Sequence, residues 1–219
     1  MRIATWNVER LKHQKALAEI ISLCDKAKAD ILVLTETDCQ VSPDYRYCFS
    51  TPAIDEGRPV HYKQTENRVS IFTNYPCIRR YSTFDKYTSL CVELETEWGS
   101  LLVYGTIAGI YGNRHPSFAL DLSSQVADIK RLSQEADGFC LCGDLNCSFA
   151  DNYYFTQSGR KILMESFAQN DLVLLTEAQP ECIDHIALTR GFGNQKKVRV
   201  EEWNQDKLLS DHKGIVVTV

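Results

Sequence analysis

The 219-residue chain has no apolar run near the roughly 20 residues that span a bilayer. Its first residues, Met1-Arg2-Ile3-Ala4-Thr5-Trp6, lack the apolar centre and small-residue cleavage site of a signal peptide. A cytoplasmic protein without membrane contact is expected. Glycine and proline are scarce, at 11 and 6 residues, and there is no repeat, low-complexity block or linker. One domain over residues 1–219 is therefore expected. A basic excess is also missing: 24 Lys and Arg stand against 29 Asp and Glu, a net charge of −5. That counts against a dedicated duplex-DNA binder, which carries a basic footprint. No basic amphipathic stretch suggests action on membrane lipid, and nothing implies an obligate protein partner.

Nine cysteines are present, an odd number. Without a secretion signal they read as reduced thiols. Cys140, Cys142 and Cys147, with Cys182 further on, form the densest set. Their spacing matches no common zinc pattern, so they read as small core residues, with Cys140 and Cys142 on one strand face.

Short apolar runs recur along the chain and predict strands at residues 3–6, 31–34, 69–73, 88–95, 101–107, 139–142, 172–175, 186–188, 198–201 and 214–219. Apolar residues at helical spacing predict helices over 12–27, from Phe118 to Leu132 with Ser117 as N-cap, and over 159–169 with Asn170 ending it. Residues 38–66 read as a long polar loop, with Tyr45, Tyr47, His61 and Tyr62 as candidate substrate contacts. Strands outnumber helices, which predicts an α/β (α+β) fold of mixed sheets flanked by helices.

Polar residues cluster at the ends of these runs: Thr5-Trp6-Asn7-Val8-Glu9, Thr35-Glu36-Thr37, Gly143-Asp144-Leu145-Asn146, Ile183-Asp184-His185 and Ser210-Asp211-His212. A carboxylate ending a buried strand, as Glu36 does, needs a partner or a metal. Asp144 and Asn146 lie two apart, on one face if the strand continues, though Asp and Asn after a strand also form Asx turns. His212 suits proton handling, with Asp184 the better-placed partner and Asp211 left for a metal. His13, His61, His115 and His185 read by default as satisfied structural imidazoles.

In this order the five motifs closely resemble the endonuclease/exonuclease/phosphatase superfamily, across residues 3–217. The resemblance implies a four-layer sandwich, two packed sheets with helices outside and the site at one rim. It implies Mg²⁺, or Mn²⁺ in its place, held by Glu36 with Asn7 and Asp211 nearby; Glu9 sits where some members carry another acid. Asp144 would activate water or protonate the leaving oxygen, Asn146 would orient it, and Asp184 would hold His212. The family's usual strand-end His or Tyr is replaced by Thr106, whose hydroxyl could bond a phosphoryl oxygen. Tyr111 and His115 in the following loop, and Arg68, complete the candidate substrate contacts. The reaction expected is attack of water on a phosphodiester or phosphomonoester, in line and with inversion, on a nucleic acid or a small phosphorylated molecule. The alternative is a non-catalytic binding or regulatory module on the same scaffold, for which Thr106 is the support.

Overall fold

The computed structural model describes residues 1–54 and 62–219. Period-two alternation builds it. In β1 (Arg2–Asn7) Ile3 points one way, Ala4 and Trp6 the other; in β2 (Ile31–Asp38) Ile31 and Val33 oppose Leu32 and Leu34. Both faces of these strands are therefore covered.

The chain continues through β3 (Tyr47–Ser50), β4 (Glu66–Thr73), β5 (Cys77–Tyr81), β6 (Ser89–Thr96), β7 (Gly99–Ile107) and β8 (Gly138–Asp144), then β9 (Leu172–Leu174), β10 (Asp184–Thr189), β11 (Arg199–Trp203) and β12 (Gly214–Thr218). One sheet runs β11-β12-β1-β2-β4-β3, the other β5-β6-β7-β8-β10-β9. The pairs β1–β2 and β7–β8 are parallel and the rest antiparallel, so both sheets are mixed.

The inner faces pack together through Ile3, Val33, Ile71, Val103, Cys142 and Ile186, among others. Outside, α1 (Leu17–Lys26) covers the first sheet with Ile20 and Cys24. On the second sheet, α2 (Phe118–Leu132) and α3 (Gln157–Gln169) cover Tyr104, Leu141 and Ala187. This is the expected four-layer α/β sandwich. Cys140, Cys142 and Cys182 belong to the inter-sheet core, whereas Cys147 packs under α2 and α3. Among the described residues no helix is long and apolar enough to cross a membrane.

Several boundaries differ from expectation. The first helix begins at Leu17, because Glu9, Arg10 and Leu11 take left-handed φ and residues 9–11 and 14–16 form 3₁₀ turns. Ser117 does not cap α2: it is itself helical, and its hydroxyl is engaged with His115 and Asp121. The polar loop at 38–66 contains β3, and α3 starts at Gln157 rather than at 159, with Thr156 capping it by accepting from Gly159 N.

Candidate active site

Strand parity builds the site. Asn7 ends the inward-facing series Ile3, Thr5, Asn7 of β1. Asp144 ends Cys140, Cys142, Asp144 of β8, and Asp184 lies opposite it on β10 in the pair Asp184–Asp144. Three polar residues thus close one end of the apolar inter-sheet core. The two sheets are linked there by Asn7 Nδ2, which donates to Asp144 Oδ2 at 3.2 Å.

Thr106 falls on the other parity. It follows Tyr104 on the helix-facing side of β7, is fully buried, and shares its hydroxyl with Ser89 Oγ (2.9 Å) and Thr88 O (3.3 Å). The expectation that it reaches a phosphoryl oxygen is corrected, since alternation turns it out of the site. Val103 faces the other sheet and Tyr104 the helices, and alternation from Tyr104 puts Thr106 on the helix side. His185 has the same fate. Its ring is buried between Thr176 (2.8 Å), Cys147 O (2.9 Å) and the edge of Phe149. Burial lowers its pKa to about 4.

The strand does not continue past Asp144. Asn146 adopts φ +48, and its N–H donates to Asp144 Oδ1 at 2.8 Å, so the Asx turn is present. Its side-chain amide donates to Ala108 O and Gly109 O at 2.9 and 3.3 Å. Asn113 Nδ2 donates to Asn146 O at 2.8 Å. Gly143, at φ +140, permits this junction: a Cβ there would stand 2.1 Å from Thr106 O.

His212 lies on the bend before β12. Its Nδ1 is 2.5 Å from Asp184 Oδ2, and its Nε2 is 3.6 Å from Oδ1 of Asp211, whose side chain is 67% exposed. The backbone around it is clamped. Trp6 Nε1 and Asn204 Nδ2 donate to His212 O (3.0 and 2.7 Å), His212 N donates to Ser210 Oγ (3.1 Å), and Ser210 Oγ donates to Asn7 O (2.6 Å). Trp6, Asn204 and Ser210 were not singled out from the sequence as supports for His212. Of these, Trp6 and Ser210 carried a signal, as parts of the Thr-Trp-Asn and Ser-Asp-His runs.

Burial alone would lower the pKa of His212. The Asp184 charge and hydrogen bond override it, with Asp144 and Asp211 adding, and raise it to about 10. The imidazole is therefore protonated at neutral pH. Asp144 is pushed up to about 7, first by burial and then by Asp184 and Glu36, while His212 and the Asn146 N–H pull the other way. Glu36 is half-buried, sits at φ +45 in β2, and accepts no hydrogen bond from a described residue. Burial raises its pKa, opposed by the charges of Arg68, His212 and Arg10.

A half-buried carboxylate without a donor fits a cation. Asn7 Oδ1 accepts from Glu9 N at 2.9 Å and keeps a second lone pair; Glu9 Oε2 in turn holds Asp211 N at 3.3 Å. Among the described residues no three His, Cys, Asp or Glu side chains form a metal cage. That donor set suits an ion such as Mg²⁺, which uses one or two carboxylates and retains water, rather than zinc.

Other expected contacts lie elsewhere. Tyr111 lines a separate cavity with Phe84, Asp85 and Asp121, and the exposed His115 lies tilted against its ring at 4.9 Å. Tyr45 packs on Phe72, and Tyr47 is in β3 beside Phe49. Arg68 is buried under Tyr62, with its guanidinium 4.5 Å from that ring, and reaches the site through its charge. Arg10 covers the same ring at 4.4 Å. His61 lies outside the described residues. What does open beside His212 is a cavity of about 380 Å³, walled by Asn146, Tyr153, Tyr154, Lys207 and Lys213.

The chain is similar across its length to several solved structures. The 3′ phosphatase NExo from Neisseria, bound to a product DNA hairpin, shares 17% identity and a TM-score of 0.71, covering 100% of this chain and 98% of that one. An AP endonuclease from Archaeoglobus fulgidus shares 13% identity and a TM-score of 0.72, with the same coverage. The endonuclease domain of TRAS1, a telomere-specific non-LTR retrotransposon, shares 19% and 0.68, covering 100% and 97%. No curated protein matches the sequence. Residues 4–212 match the Endonuclease/Exonuclease/phosphatase family. The chain therefore belongs to that family, and it is a hydrolase acting on phosphoester bonds.

Proposed function

We propose that the chain is a divalent-metal-dependent phosphoesterase that cleaves a nucleotide-type phosphoester by direct attack of water. One observation carries this reading. Two neighbouring groups have environments that push their protonation apart: Asp144 titrates at about 7 and His212 at about 10. Near neutral pH the first can exchange a proton while the second stays cationic.

In this reading Asp144 takes the proton of the attacking water, or returns one to the leaving oxygen, and Asn146 fixes its carboxylate through the Asx turn. The His212 imidazolium, held by Asp184, donates a hydrogen bond to a phosphoryl oxygen as charge builds there. Glu36, with Asn7 and Asp211 near it, would hold Mg²⁺ or Mn²⁺. What a bound cation supplies is neutralisation of the phosphoryl charge. No side chain in the set suits a covalent nucleophile, so inversion at phosphorus follows. The DNA product held by the 3′ phosphatase NExo supports a nucleotide substrate. The non-catalytic alternative loses its support with Thr106, whose position faces the helix layer.

The test is hydrolysis of bis-p-nitrophenyl phosphate with Mg²⁺. Wild type turns it over; Asp144→Ala and His212→Ala do not, with far-UV circular dichroism unchanged. No turnover of any phosphoester by the metal-loaded wild type would overturn the reading.

A further inference from the structure

The loop between β7 and α2 grips the chain where β8 ends. Ala108 N donates to Asp144 O at 2.8 Å. Ala108 O and Gly109 O accept from Asn146 Nδ2 at 2.9 and 3.3 Å. Asn113 Nδ2 donates to Asn146 O at 2.8 Å. Residues of a single loop thus hold Asn146 by its side chain and by its carbonyl.

The side-chain grip decides which way the Asn146 amide faces. Both of its partners are carbonyl oxygens, so only the NH₂ end can meet them. The Oδ1 end is left without a donor among the described residues, on a side chain that walls the cavity beside His212. An acceptor there suits a proton of the attacking water.

The carbonyl grip holds the backbone. Asn146 has φ +48, a left-handed conformation that is unfavourable for a residue other than glycine and persists where its surroundings impose it. That conformation aims Asn146 N–H at Asp144 Oδ1, 2.8 Å away. The hydrogen bond from Asn113 to the carbonyl of the same residue opposes relaxation of this turn.

Asn113 is itself fixed. It is 3% exposed, and its N–H donates to Tyr154 Oη at 3.3 Å. Gly112 lets the phenol come this close: its φ is +84, and a Cβ there would stand 2.6 Å from Tyr154 Oη. The placement of Asn113 is not the most stable one for this spot. Its Oδ1 is buried with no donor among the described residues, and an unmatched buried amide oxygen is unfavourable. An apolar side chain of similar volume would remove that penalty. The asparagine side chain serves here through its NH₂ alone, at Asn146 O.

We infer that Asn113 is a positioning residue for the hydrolysis. Its amide keeps Asn146 in the left-handed turn, and the turn in turn sets the Asp144 carboxylate and the Asn146 amide oxygen toward the water. This rests on the phosphoesterase reading and adds a residue that acts through Asn146.

The experiment measures kcat, KM and the urea midpoint with bis-p-nitrophenyl phosphate and Mg²⁺, in wild type, Asn113→Leu, Asn113→Ala and Thr106→Val. Leucine is close to asparagine in volume and has no amide. Asn113→Leu is expected to lower kcat about a hundredfold, the scale on which a misplaced group slows a reaction. Its KM should stay within about twofold of wild type, because the lost interaction acts on the reacting groups and not on binding. Its urea midpoint should fall no further than that of Thr106→Val, which loses buried hydrogen bonds outside the site and keeps its kcat. A merely structural role would give the reverse, a lower midpoint with kcat retained. In an Asn146→Ala background, adding Asn113→Leu should cost less than about threefold more, since residues that act as a unit are not additive. Should Asn113→Leu unfold, Asn113→Ala decides by the same criteria. A kcat near wild type, a loss confined to KM, or a loss that multiplies in the Asn146→Ala background overturns the role. Turnover by wild type in those cases leaves the phosphoesterase reading standing, whereas a wild type without turnover removes both.

Discussion

Asp184 and His212 come from strands or bends of different sheets, yet Asp184 Oδ2 and His212 Nδ1 stand 2.5 Å apart. The carboxylate holds the imidazolium through the neutral range. In Asp184→Asn the His212 pKa should fall from about 10 toward its ordinary 6.5. The alkaline limb of the kcat/KM profile should then move down by at least two pH units, and kcat should drop about a hundredfold or more. Because the folded pKa is raised, the pair stabilises the protein fully below 6.5 and loses that contribution as pH rises through 10. Urea midpoints across this window should fall in wild type and stay nearly flat in the variant. An unmoved alkaline limb would show that Asp184 does not set the charge of His212.

Glu36 should govern metal affinity. Thermal melts of wild type should rise with Mg²⁺, by about 3 kcal/mol of stability at a hundredfold excess over Kd. Glu36→Gln should show little rise. Without metal the variant should be at least as stable as wild type, because burial disfavours the charge it removes. An equal Mg²⁺ response in both proteins would remove Glu36 from the ligand set.

Thr106 should matter for stability and not for turnover. Thr106→Val loses the hydrogen bonds to Ser89 and Thr88, a cost of about 1 kcal/mol in urea denaturation. Its kcat/KM should stay within about threefold of wild type. A hundredfold loss with the fold intact would return Thr106 to the substrate.

His185 makes the protein acid-sensitive. It is neutral in the fold, with a pKa of about 4 against 6.5 when unfolded. Its contribution is complete above 6.5 and is lost as pH falls through 4, on the order of 3 kcal/mol. His185→Gln should flatten stability over that range, read from urea midpoints at pH 7 and pH 4. An identical acid dependence in both proteins would place the sensitivity elsewhere.

The central strands and all three helices were legible in the sequence because burial on both faces leaves continuous apolar runs. The strands overlooked were β3 and β5, each at the edge of its sheet. In β5 Arg79 and Arg80 face solvent and carry charge, as edges do, so no apolar run marks it; β3 is only four residues of alternating burial inside a polar stretch. At the site, Asn7, Asp144 and Asp184 were legible because they end inward-facing series. The side taken by Thr106 was not legible, because both faces of β7 are apolar and buried and neither is marked in the sequence as the inter-sheet one. Tyr154 and Asn204 left no trace in local pattern. Their roles arise from loops meeting across 41 residues of chain in one case, and from left-handed backbone in the other.

Gly143 has a wider consequence. It lies one residue before Asp144, in register with Thr106 and His185, where any side chain would strike the neighbouring strand. The Asp144 carboxylate is therefore seated at the end of a hydrogen-bonded ladder instead of on a pliant loop. Amide protons of β8 and β10 around it should exchange with deuterium only when the whole sheet opens. The geometry of this rim and the stability of the sheet are then coupled, so a variant that softens the ladder weakens both together.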